Sequence, residues 1–246
     1  MRNILLELSY KGTNYKGFQR QKNTQETIEN YLANAIKNVF CEDVKITASG
    51  RTDAGVHALK QCVNFQTSKN IQTQNIPRAL NTYLPQDIRV KIAKEVDENF
   101  SARFSAKKKT YLYVVRQGEI ASPILWDMVA NYPYKLDEQK IDDCVKKFVG
   151  THNFKAFASS DTDVKDFNRT IYNFTFQKKD NFLIFKITGN GFLYNMVRII
   201  IGTILDIARG KLDIDIIDKM FETGDRSIGG KTAKPNGLYL YDVEYL

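Results

Sequence analysis

The chain is short of the residues that build metal sites and disulfides. Its 246 residues include three cysteines, Cys41, Cys62 and Cys144, an odd number with no close pair. That excludes a disulfide framework and a zinc knuckle. His57 and His152 are the two histidines. They stand far apart, and neither has a partner at i+2 or i+4, so metal catalysis is poorly supported. His152 reads as a helix-terminal structural residue satisfying a local hydrogen bond. Long apolar runs are missing too: Met196 to Ala208 is interrupted by Arg198 and Asp206, which argues against a membrane span. The first residues read as a strand, Ile4 to Leu8, with no leader-like apolar region, and the expected location is the cytoplasm. There is no Gly-x-Ser-x-Gly elbow, no Walker loop and no strand-linked Gly-x-Gly-x-x-Gly. Serine hydrolysis on such an elbow, nucleotide hydrolysis and dinucleotide binding are therefore set aside. Glycine and proline are too few for a flexible linker.

What is present is an ordinary globular composition, 43% hydrophobic and 26% charged, enough for one large core or two small ones. Lysine and arginine number 36 against 28 acids, a formal charge of +8, which favours a polyanionic partner. The cations are interleaved with aromatics. Lys11, Lys16, Arg20 and Lys22 share a Gly-rich loop with Tyr10, Tyr15 and Phe18. Arg103, Lys107, Lys108 and Lys109 precede Tyr111 and Tyr113. Cations that meet phosphates beside rings that stack on bases suit nucleic acid. A solvated mixed surface would look the same on charge alone.

Periodicity organises the chain. Apolar spacing predicts a helix over Asn23–Phe40, with Asn23 and Glu26 resembling a capping box. Strands are predicted at Val44–Ser49, Gln61–Gln66 and Ile88–Val96, and a short helix from Pro77 to Tyr83. The first half thus reads β-α-β-β-α-β, the ferredoxin-like order. A second series follows: strand Lys109–Arg116, helix Glu138–Val149, a hairpin of Thr170–Lys178 with Asn181–Thr188, helices Leu193–Ala208 and Ile214–Phe221, and strand Leu238–Tyr245. Gly210 suits the end of the long helix. The expected fold is α+β, with two lobes, residues 1–105 and 106–246.

The most informative stretch is Gly50-Arg51-Thr52-Asp53-Ala54-Gly55-Val56-His57. A strand delivers a carboxylate onto an exposed, glycine-flanked loop, where catalytic side chains are common. Taken alone, the motif also reads as a turn in which Asp caps its own backbone. A lone carboxylate works as nucleophile or general base if a cation keeps it ionised. Arg51 is one candidate cation, its side chain on the same side of an extended chain as Asp53. Arg198 is the other, set in an apolar helix face where an arginine either meets an acid or snorkels to solvent. An Arg198–Asp53 pair would join the two lobes across a cleft.

The octapeptide Gly50–His57 resembles the signature of the bacterial tRNA pseudouridine synthase A family. Seven further blocks stand in that family's order along the chain: Tyr10–Gln21, Asn81–Pro85, Phe100–Ala106, Lys109–Tyr113, Arg169–Ile171, Gly189–Arg198 and Gly237–Leu240. The resemblance implies two ferredoxin-like lobes whose antiparallel sheets join around a central RNA-binding cleft, in a homodimer. It implies isomerisation of uridine to pseudouridine at positions 38, 39 and 40 of the tRNA anticodon arm, without cofactor or metal. It makes Asp53 the catalytic aspartate, acting at ribose C1′ or on the C2′ proton. Tyr111 becomes the ring that stacks on the target base, Arg198 the partner of the aspartate, and Arg51 the residue that holds the flipped base. Lys11, Lys60 and Lys234 depart from the family pattern, all toward positive charge. They leave open a paralogue acting on another RNA uridine, and beside it a non-catalytic RNA-binding protein.

Overall fold

The computed structural model describes residues 1–159 and 164–245. They divide into two compact units, Met1–Lys107 with Tyr239–Leu246, and Lys108–Leu238. The first unit runs β1 (Arg2–Tyr10), α1 (Ile28–Phe40), β2 (Thr47–Ala48), β3 (His57–Thr67), α2 (Ile76–Asn81) and β4 (Ile88–Val96). β1 is central, antiparallel to β3 on one side and β4 on the other, and β2 pairs antiparallel with β3. The core of this unit includes Ile4, Leu6 and Leu8 of β1 and Ile28, Leu32 and Ile36 of α1, all buried. Burying such side chains contributes about 1.5–3 kcal/mol each.

β3 starts at His57 rather than Gln61, and two further expectations for this unit change. α1 starts at Ile28 rather than Asn23, with Thr27 as a cap residue that makes no side-chain capping bond. The preceding residues are engaged elsewhere: Lys16 N–H donates to the Glu26 carbonyl at 2.7 Å, and Thr24 Oγ1 accepts from Glu26 N–H at 3.1 Å. β2 shrinks to two residues, because only Thr47 and Ala48 find ladder partners, Asn64 and Val63.

The second unit runs β5 (Lys108–Gln117), β6 (Ala130–Tyr132), α3 (Glu138–Lys147), β7 (Gly150–Asn153), β8 (Asn168–Lys179), β9 (Phe182–Gly189), α4 (Met196–Ala208) and α5 (Ile216–Thr223). β9 lies between β5 and β8, antiparallel to both. β7 adds beyond β8, and β6 pairs in parallel with β5. Asp137 caps α3, accepting from Gln139 and Lys140 N–H. α4 is apolar nearly all round and almost wholly buried, the pattern of a helix enclosed by its own unit. It starts later than Leu193 because Asn195 adopts φ +61 and breaks the helical run. His152 lies in β7. Its ring stacks on Phe221, and Nε2 meets the Val149 carbonyl at 3.1 Å. The closing strand, β10 (Leu238–Glu244), pairs in parallel with β3 through Tyr239–His57 and Leu240–Ala58, and so belongs to the first unit.

Candidate active site

The loop between β2 and β3 is held from three directions. Thr52 turns inward and shares a 2.7 Å hydrogen bond with the Tyr10 hydroxyl. Burial pushes the pKa of Tyr10 up to about 12, only partly offset by its bonds to Thr52 and Gln61. Phe18 N–H donates to the Thr52 carbonyl at 3.0 Å, and Gly55 N–H to the Tyr15 carbonyl at 3.3 Å. From β3, Gln61 donates to the Gly50 carbonyl at 2.9 Å and accepts from Ser49 Oγ at 2.6 Å.

The loop then closes in a turn, Val56 N–H to the Asp53 carbonyl at 3.1 Å. Gly55 takes φ +77 there, whereas Gly50 takes no positive φ. Thr52 is buried, Asp53 is half-buried and Arg51 is exposed, the alternation expected of extended backbone. The result is a carboxylate on a fixed backbone with its side chain within reach of solvent.

Gly12 and His57 complete the fastening. A Cβ at Gly12 would lie 1.9 Å from the Val56 carbonyl oxygen, so only glycine allows this approach. Gly12 N–H donates to His57 Nδ1 at 3.0 Å, and the imidazole stacks on Tyr239 at 4.8 Å between centroids. With Nδ1 an acceptor, the ring carries its proton on Nε2 and is neutral. His57 serves as a buried brace of the loop.

Tyr111 and Arg198 belong to the second unit. Tyr111 is buried on β5, edge to face with Phe192 at 5.1 Å. Arg198 is half-buried in the first turn of α4. Its Nε donates to the Ala233 carbonyl at 2.8 Å and its Nη1 to Asn195 Oδ1 at 2.7 Å. Ala233 N–H returns a bond to the Arg198 carbonyl at 3.0 Å. Asn195 is itself held by donating to Ser159 Oγ at 2.8 Å. Two planar partners thus orient the guanidinium. Tyr113 donates to the Lys234 carbonyl at 2.8 Å and steadies the same segment. Sequence reasoning missed Asn195 and Ala233, and it read Tyr113 as a ring beside cations rather than as a support. Asn195 lies inside the Gly189–Arg198 block, where an Asn next to a helix start was a usable signal.

Of the basic candidates, Lys16, Arg20, Lys22, Arg103 and Lys107 are exposed, and Lys108 and Lys109 are half-buried at the start of β5. Lys108 Nζ lies 5.8 Å from the Tyr172 ring centroid, and Arg103 lies 5.3 Å from that of Phe104. Lys60, one of the three departures, forms a 2.7 Å ion pair with Asp242 of β10. Partial burial alone would depress its pKa, but the bond and charge of Asp242 outweigh this and raise it. Lys60→Gln is accordingly expected to leave RNA affinity and its salt dependence within about twofold of wild type, because the ammonium is engaged by Asp242 rather than presented to phosphates. A filter-binding salt series checks this. A clear loss of affinity would return Lys60 to the RNA-contacting set.

Among the described residues, no group of three or more His, Cys, Asp or Glu is placed to hold a metal ion, and no helix is long and apolar enough to cross a membrane. Cys62 and Cys144 are buried, and burial pushes their thiols up to about 11 and about 12.

A model of the tRNA pseudouridine synthase family matches residues 8–105 and 144–246. A protein of Caldicellulosiruptor bescii named tRNA pseudouridine synthase A is 45% identical over 245 residues, 100% of each chain. A protein of the same name from a Geobacillus species is 44% identical over 243 residues, 98% of each chain.

Proposed function

The chain belongs to the tRNA pseudouridine synthase family, and from that premise we propose that it isomerises uridine to pseudouridine in the anticodon arm of tRNA, at positions 38, 39 and 40. The observation that carries the reading is the fastening of the Asp53 loop by Tyr10, Phe18, Gln61 and Gly12. A chain of charge +8 that merely bound RNA would gain nothing from a rigidly presented carboxylate, which repels phosphates. A reaction gives it a use.

In the reaction, the N1–C1′ bond breaks and its electron pair leaves with uracil. Uracil turns, C5 bonds to C1′, the C5 proton is lost and N1 gains one. Atoms balance, and no cofactor or metal is consumed. Asp53 either bonds to C1′ and is displaced when C5 attacks, or removes the C2′ proton and returns it as C5 bonds to C1′. The reacting carbon is out of reach in a stacked nucleotide, so the base flips out and a planar side chain replaces its neighbours. Tyr111 takes that role, Arg51 holds the flipped base, and Arg198 keeps Asp53 ionised. Lys16, Arg20, Lys22, Arg103 and Lys107–Lys109 meet phosphates, setting affinity rather than sequence preference. The protein acts in the cytoplasm as a homodimer. Each unit is read as a ferredoxin-like lobe. Supporting this are the order β4-β1-β3-β2 in the first, and the run β5-α3-β8-β9-α4 with β9 between β5 and β8 in the second.

The test is pseudouridine mapping in RNA from cells with and without the gene. Loss confined to the anticodon arm is expected. Loss at another RNA site would move the substrate, and no loss at all would sink the enzymatic reading. Tyr111→Phe is expected to retain most activity, since the ring still stacks, and Tyr111→Ala to lose roughly tenfold or more, as stacking on a base is worth about 1–3 kcal/mol. Equal effects in single-turnover assays would remove the stacking role.

A further inference from the structure

The end of α4 remote from Arg198 carries a pocket that the proposed chemistry does not use. Arg209 follows Arg198 by eleven residues, roughly 16 Å along a helix axis. The pocket is an open, shallow depression of about 460 Å³ lined by Tyr134, Lys135, Arg209, Gly210 and Lys211. Asp206, nearly buried, pairs through Oδ1 with Arg209 at 2.9 Å and through Oδ2 with Lys211 at 3.2 Å. Lys135 forms no ion pair among the described residues. Two of the three cations therefore share one carboxylate, and the third has none. Arg209 also lies 4.9 Å from the ring centroid of Tyr134, a residue that is 52% exposed. Its Nε is buried without a hydrogen-bond partner among the described residues.

The competing account is that these cations only complement the negative end of the α4 dipole. The last carbonyls of α4 already have donors, however. Leu205 accepts from Arg209 N–H, Asp206 from Lys211 and Leu212 N–H, Ile207 from Gly210 N–H, and Ala208 from Asp137 N–H, at 2.9–3.2 Å. The helix end is satisfied by backbone, and the single Asp206 carboxylate, paired with Arg209 and Lys211, leaves a surplus of positive charge once Lys135 is included. Surplus cations beside an exposed ring are what a nucleotide needs, with phosphate on the cations and base on the ring.

We infer that this pocket is a second RNA anchor, binding a nucleotide of the tRNA substrate away from the reacting uridine. It rests on the tRNA reading above, but affinity reports on it independently of isomerisation. The experiment measures binding of a tRNA transcript to the full-length protein by fluorescence anisotropy across a salt series, with thermal unfolding in parallel. The Lys135→Gln/Lys211→Gln protein is expected to bind roughly tenfold more weakly at low salt. The slope of log Kd against log salt should flatten by about 1–2, since each phosphate contact contributes about 0.7–0.9. Turnover at saturating tRNA should not change. Tyr134→Ala should weaken binding roughly tenfold with the salt slope kept, and Tyr134→Phe should restore it. Unchanged affinity and slope with a lowered melting temperature would overturn the anchor and leave the cations as helix caps. Weakened binding by the variants, with a wild-type protein that leaves uridine unconverted, would support the pocket and overturn the isomerase reading.

Discussion

Asp53→Asn is expected to lose pseudouridine formation by roughly 10³-fold or more while tRNA still binds. The two chemical roles open to Asp53 set the scale: removing a general base costs about 10²–10⁴-fold, and removing a nucleophile can cost about 10⁶-fold. Asparagine is nearly isosteric, so the backbone bonds that hold the loop, from Phe18, Gly55 and Val56, survive the change. The sign of the binding effect follows from charge. A carboxylate facing an RNA backbone repels it, and its neutral amide should bind tRNA as tightly as wild type or more so. Single-turnover conversion of a labelled tRNA, beside its Kd, separates the two quantities. Turnover near wild type would remove Asp53 from the chemistry, and a parallel collapse of binding would make the loop an RNA grip instead.

Local pattern carried much of the fold. Ile88–Val96 was readable to the residue as β4, because alternation and flanking turn residues act over one short segment. The β8–β9 hairpin was readable for the same reason, its turn marked by Asp180 at φ +52. The Asn23 start of α1 failed because propensity cannot register that Lys16 and Thr24 occupy the backbone around Glu26. β6 and β7 were missed as three- and four-residue strands, too short to show a period. β10 was found, but its parallel pairing with β3 joins residues 182 positions apart, Tyr239 with His57, and no local signal encodes that. The site divides in the same way. Arg51 and Asp53 were legible as i and i+2 on an extended loop. Their supports, Tyr10, Gly12, Phe18 and Gln61, were not, since each reaches the loop through a tertiary contact. Lys60 is the clearest case: its charge suggested substrate range, and its contact is Asp242.

Gly12→Ala is expected to lower kcat by roughly 10²-fold with little change in tRNA affinity. Gly12 has no positive φ, so alanine suits its backbone and the effect rests on space alone. The added methyl would lie 1.9 Å from the Val56 carbonyl oxygen and 2.6 Å from its carbon. Both are backbone atoms, and no rotamer relieves the overlap. Either the loop around Gly12 or the Asp53–Val56 turn must give by about 1 Å, and the bond from Gly12 N–H to His57 Nδ1 strains with it. Overpacking of this kind costs about 1–3 kcal/mol, which a protein of ordinary stability, about 5–15 kcal/mol, survives. The protein should therefore fold, with a melting temperature lower by several degrees. The larger consequence is positional, since a misplacement of about 1 Å near a reacting group costs about 10²-fold in rate. Steady-state kinetics read against Kd decide the matter. Unchanged kcat would show that the turn absorbs the methyl and that Gly12 does not position Asp53, whereas a loss in Kd as large as that in kcat would place the Gly12 loop on the RNA itself.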